Sequence, residues 1–475
     1  AITGSGNIHR TDGGTITHSG DLSGFGGTYN VQGGTTQLTG TASTIGGNWT
    51  TATGTTLTIN SSATQSLAGT ISGTGTLNIN SAAALTLNNS VSMAGSTVFV
   101  NGQATFGTGS SINLGSGTFR VNGTGAATIS SGVTLNADQI AFTGTTSNQL
   151  NILTGATVTT KYFNLGDAGN NSGRIVQSGG NVTIATGGTG MRIGHWNNGS
   201  NAGSLYNLSG GTLNASAIGV TIGHDGQGDM IVGGGAGSDL FQASSIQLDA
   251  NGNGGGSGAG DMTLTVSTNG TVEVGTGGIG AAAAGDRVIL NGGAVKAVGN
   301  ATWGSVINAN TATTSTLNAN GFTVTLTNNI TGTGTINLSS ATGGITFNTT
   351  GNQTISAGLN GVTAITKTGT GTTTLSGTGT HSGTISVNDG RLNLAGSTAS
   401  NITVASGKSF GGEGTTTGSL SLAGSNSLFI DPSTSGKLTV DDLSLSGTNT
   451  LKFDTAPGVG SINVLTYTGS LTGSF

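Results

Sequence analysis

The chain has 475 residues, of which 92 are glycine, two are proline and none is cysteine, and its formal net charge is −5. Only 6% of its residues are charged, against about 25% in an ordinary globular domain, so helices with solvated charged faces are excluded, and the missing cysteine excludes a disulfide framework and thiol catalysis. A hydrophobic content of 33% with so little net charge also excludes the apolar-poor, charge-rich composition of disordered chains.

From residue 1 to about 170, short apolar runs alternate strictly with Thr, Ser and Asn. Residues 56–60 read Thr-Leu-Thr-Ile-Asn, 76–80 read Thr-Leu-Asn-Ile-Asn, and 119–123 read Phe-Arg-Val-Asn-Gly. Period-two alternation predicts half-buried strands, and a spacing near twenty residues predicts one coil of a β-helix per repeat. Gly and Asn between the runs supply the positive φ angles of corners. Phe99-Val100-Asn101-Gly102 echoes residues 119–123 at similar spacing.

From about 171 to 300 the units lengthen to about thirty residues. Ile175-Val176-Gln177-Ser178-Gly179-Gly180 is followed by Leu205-Tyr206-Asn207-Leu208-Ser209-Gly210-Gly211, and Ile193-Gly194-His195 by Ile222-Gly223-His224. Residues 251–260 read as a protruding loop. From about 301 to 475 the short coils return, and Ile330–Leu338 nearly reproduces Ile71–Ile79. The expectation is an all-β chain: one continuous domain in three sections (1–170, 171–300, 301–475), folded as a parallel, right-handed β-helix, or β-solenoid. Roughly twenty coils at the usual strand spacing would make a rod on the order of 100 Å long.

Within the last section, Lys367, Gly369, Gly371, Leu375, Gly377, Gly383, Val387, Asn388, Gly390 and Leu392 occupy the positions of a known pattern: a Lys, two spaced glycines, a strand ending Leu-Ser-Gly, then Val-Asn-x-Gly-x-Leu. Residues 363–396 thus resemble the autotransporter-associated β-strand repeat, with Thr373 in place of a Leu and His381 in place of a Tyr. The resemblance implies a secreted or surface-displayed bacterial passenger built as a parallel β-helix, without catalytic residues. The start at Ala-Ile-Thr fits a secreted protein that has lost its signal peptide; a processed or truncated passenger is one expectation, and since proteins with these repeats also occur without a translocating barrel, the secretion route stays open.

His195 and His224 stand at equivalent places in successive units, with Asp225 directly after the second. Two imidazoles and a carboxylate stacked one coil apart are a ligand set for a divalent metal; two loop histidines at the end of a strand are the plainer reading. Residues 234–241, with Asp239, match one calcium-binding nonapeptide of β-rolls, although such sites need tandem copies and Asp229 is out of step. No cofactor beyond that calcium is expected. Seventeen acids spread over the chain do not make the clustered carboxylates of a polysaccharide-degrading enzyme, and Asp441 and Asp442, on one strand, would point to opposite faces. Trp49, Trp196, Trp303 and Tyr206 would either stack on sugars or fill the interior.

The expected protein is therefore not an enzyme. It is an extracellular or bacterial cell-surface rod with a structural role, partnered by copies of itself in fibres or a matrix. The alternative is an adhesin whose loops near 195–260 meet a glycan or host protein, and a polysaccharide-degrading β-helix ranks last. Singly scattered basic residues offer no nucleic-acid footprint, and no apolar run is long enough for a membrane helix.

Overall fold

Alternating runs of three to five residues, interrupted by Gly and Asn, can support only short strands, and short strands gain stability by stacking many neighbours. The computed structural model describes residues 1–144, 147–167, 172–195, 203–250, 261–283, 285–340, 342–433, 437–458 and 463–474. Among the described residues it contains 55 strands and no helix. They form a parallel β-solenoid of about 19 turns. The expected loop at 251–260 and Trp196 lie outside the described residues. The fold separates into two units, Ala1–Leu264 and Thr265–Phe475.

In the first unit each turn contributes one strand to each of three columns. One column runs Thr35–Leu38, Thr56–Ile59, Thr76–Ile79, Thr97–Val100, Thr118–Gly123, Gln139–Gly144, Tyr162–Leu165 and Gly190–Ile193, every pair parallel. The repeats at 56–60 and 76–80 are thus neighbours in register, Leu57 on Leu77 and Ile59 on Ile79. The inner rung continues through Val98, Phe119, Ile140, Phe163, Met191, Val220 and Ile246. All of these side chains are buried, and each such burial contributes about 1.5–3 kcal/mol before entropy is counted.

The thirty-residue units of the sequence arise where strands run through corners. Ser204–Ile222 is one continuous strand of 19 residues that pairs with Arg174–Ile184 over its first part and with Gly190–Ile193 over its last. Near the start of this unit, aromatic rings replace the aliphatic ladder. Trp49 stacks on Tyr29 with centroids 4.9 Å apart, takes the edge of Phe25, and donates its indole N–H to the Gly46 carbonyl at 3.1 Å.

The second unit also has three columns. One runs Asn352–Ile355, Thr372–Leu375, Arg391–Leu394, Ser409–Gly412, Ser427–Ile430 and Thr450–Phe453. The outward rungs in both units are polar ladders: Asn101 donates to Asn80 at 2.7 Å, Asn136 to Asn113 at 3.2 Å and Asn310 to Asn291 at 2.8 Å. Stacked amides of this kind satisfy one another along the coil axis, which is why so few charges are needed outside.

Candidate functional site

The described groups that could hold a metal gather at one corner of the first unit, and a repeated backbone device puts them there. Leu165, Ile193, Ile222 and Leu248 end successive strands in register. The residue after each has a positive φ: 87° at Gly166, 75° at Gly194, 77° at Gly223 and 49° at Asp249. A left-handed residue costs glycine nothing, and it turns the chain the same way in every coil. The next residues, Asp167, His195 and His224, therefore come to equivalent corner positions. Backbone bonds lock the stack: the His195 N–H donates to Leu165 at 2.9 Å, Gly223 to Ile193 at 2.7 Å and Asp225 to Gly194 at 3.1 Å.

His195 and His224, read from the sequence as equivalent, lie edge to face with ring centroids 5.1 Å apart. His224 Nδ1 is 2.7 Å from Asp225 Oδ2. One ligating atom from each of His195, His224 and Asp225 falls within 4.8 Å of the others. On the other side, His195 Nδ1 faces Asp167 Oδ1 at 3.8 Å, and Asp167 is held by Arg120 at 2.9 Å and by the Asn164 amide at 3.4 Å. Arg192 Nη1 lies 3.0 Å from His195 Nε2. His195 is buried, while His224 and Asp225 are half-buried, so the cluster sits at the protein's skin. Sequence spacing points to the two histidines and Asp225; Asp167, Arg120 and Arg192 are visible only once the coils are stacked.

Asp239 is not brought to this cluster. It opens the strand Asp239–Leu248 opposite Gly211, and its side chain is buried at 1% exposure. Burial pushes its carboxyl above the usual range, with the Gly235 amide acting the other way. Asp229 faces outward and accepts from the Thr263 amide and hydroxyl at 3.1 and 2.6 Å, so the two acids of the calcium-like segment serve different columns.

The other candidates lie away from this corner. Trp49, Trp303 and Tyr206 are buried to within 1% and are core, not sugar platforms; Tyr206 donates to Gln177 at 2.5 Å, and burial raises its phenol pKa. Asp441 and Asp442 lie in a turn, not on a strand. Each serves the next coil: Thr468 donates to Asp441 at 2.9 Å, and Ser470 donates to Asp442 from both its amide and its hydroxyl. Those bonds hold the Asp442 carboxyl below its ordinary pKa.

In the repeat at 363–396, Lys367 is fully buried. Its ammonium donates to the carbonyls of Thr368 at 2.8 Å, Gly369 at 2.7 Å and Asp389 at 3.2 Å, tying two successive turns together. Burial lowers its pKa, with the Asp389 charge opposing. Leu375, Val387 and Leu392 point inward, and Gly369 and Gly390 have φ values of 77° and 63°. Asn388 and Gly390 lie in the turn between Ile385–Val387 and Arg391–Leu394. At Gly371, Gly377 and Gly383 an added Cβ would meet backbone of the preceding coil at 1.9, 2.0 and 2.5 Å. The lysine, the inward-facing leucines and valine, and the glycines of the motif thus each have a local physical reason.

Compared with known proteins, the chain matches no family model and no curated sequence. The resemblance at 363–396 therefore stands on its motif residues alone.

Proposed function

We propose that the protein is an extracellular structural element of a bacterial surface, a stiff β-solenoid that assembles with copies of itself and performs no catalysis. The observation that carries this reading is the stack itself, parallel coils in register with outward polar ladders such as Asn101 on Asn80 and Asn310 on Asn291. Thr450–Phe453, Leu465–Tyr467 and Leu471–Thr472 each pair with a single neighbour among the described strands. They expose Phe453, Tyr467 and Leu471 at 38, 44 and 45%. Strands paired on one side among the described residues can template a further coil, and a second copy of this chain supplies coils of the same width and hydrogen-bond spacing. Polar ladders and a lack of cysteine suit life outside the cell.

Electron microscopy and sedimentation of the purified chain test the reading. Filaments or discrete multimers are expected, and Leu471→Lys together with Phe453→Lys should return them to single particles. A chain that stays monomeric at high concentration, or multimers indifferent to both changes, overturns it. A second reading, adhesion through the 195–260 side, is favoured by the half-buried imidazoles and carboxylate at that corner; single particles that bind cells, lost on changing that corner, would support it instead.

A further inference from the structure

We propose that His195, His224 and Asp225 bind one divalent transition ion of borderline softness, Zn2+ or Cu2+, and that the ion clamps two successive turns of the first unit. This goes beyond the structural reading above and stands without it. The donor set is two imidazole nitrogens and a carboxylate oxygen, which suits Zn2+ and Cu2+ and is poor for Ca2+ or Mg2+, whose ligands are all oxygen. The three donors come from two coils, His195 from one and His224 with Asp225 from the next, joined by the Asp225 amide bond to Gly194.

The present spread of up to 4.8 Å between donors must close to roughly 3.5 Å around an ion with bonds of about 2.0–2.2 Å. Side-chain rotation of the half-buried His224 and Asp225 supplies that change while the backbone stays in register. Asp167 stands behind His195, 3.8 Å from Nδ1, as carboxylates stand behind metal-bound imidazoles, orienting the ring and raising its basicity. The guanidinium of Arg192, 3.0 Å from Nε2, holds that nitrogen as an acceptor facing a cation. Metal and guanidinium therefore compete for it.

The test titrates the untagged full chain with Zn2+ by calorimetry and records electron paramagnetic resonance of the Cu2+ form. One equivalent should bind, with nitrogen hyperfine structure from two imidazoles. His224→Ala and Asp225→Asn should each weaken Zn2+ binding tenfold or more, and Arg192→Met should strengthen it severalfold. Saturating Zn2+ should raise the thermal midpoint of the wild type but not of His224→Ala. His224→Gln serves if the alanine variant does not fold, as judged by circular dichroism. Of the other histidines, His18 is bonded to Tyr29 and His381 to Ser400 and Thr363, so His9 is the main source of background. Binding that survives both His224→Ala and Asp225→Asn, or a copper spectrum with one nitrogen or none, overturns the proposal.

Discussion

His381 shows how one residue departs from a pattern without breaking it. It stands in a core layer at 1% exposure. Its Nε2 lies 2.8 Å from the Thr363 carbonyl and must carry the proton there, so Nδ1 accepts from the Ser400 hydroxyl at 2.7 Å. Burial lowers its pKa, with the Thr363 carbonyl opposing. A folded-state pKa below the unfolded value means that the unfolded chain takes up a proton first as pH falls. The contribution to stability is complete above the unfolded value of about 6.5 and is lost as pH falls from there through the lower folded value. Denaturation midpoints measured across this window should drop toward acid, and His381→Gln should flatten the slope, leaving the part due to His18, whose pKa is also lowered by burial. An unchanged slope in that variant would reject the assignment. Both His381 and the buried Lys367 replace apolar packing by satisfied hydrogen bonds, which residue type alone does not disclose.

At the scale of the strand and its turn, glycine spacing is a packing constraint between coils. Gly371 leads into the strand Thr372–Leu375, and a Cβ there would stand 1.9 Å from the Gly351 carbonyl oxygen. Gly351 belongs to the coil before, and a Cβ on it would meet nothing within 4 Å. Gly371→Ala should therefore force the two coils apart and cost about 1–3 kcal/mol. Gly351→Ala should be neutral or slightly stabilising through the unfolded chain. Urea midpoints of the two variants check this; equal effects would show that steric contact between coils is not the cause. Thr373, two residues after Gly371, is fully buried and donates to the Gln353 amide oxygen at 3.1 Å. Gln353 in turn donates to Leu326 and Asn328 carbonyls, so the substituted Leu position became a polar rung that still pairs in register with Leu392.

At the scale of the whole molecule, a solenoid is stabilised between nearest neighbours, so protection follows position in the stack. Native-state hydrogen exchange should find the slowest amides in doubly paired strands such as Thr76–Ile79 and Gln139–Gly144. The strands Thr450–Phe453, Leu465–Tyr467 and Leu471–Thr472, paired on one side among the described residues, should exchange much faster. If they are equally protected in dilute solution, the last coil is covered, which agrees with assembly only if the sedimentation experiment shows multimers under the same conditions.

The sequence by itself determined the class of fold, the parallel coils, the twenty-residue spacing that makes 56–60 and 76–80 neighbours, and the stacking of His195 on His224, while their register was decided by the fold. Those features follow from local alternation and repeat spacing, which act within a few residues and one coil. Tertiary structure alone decided which polar and aromatic residues face the core, as with Lys367, His381, Thr373, Trp49 and Tyr206. It also decided that Asp167, Arg120 and Arg192 surround the histidines. The reason is that a side chain's partners in a solenoid lie one coil above and below, some twenty to thirty residues away, and a slip of one residue exchanges inside for outside.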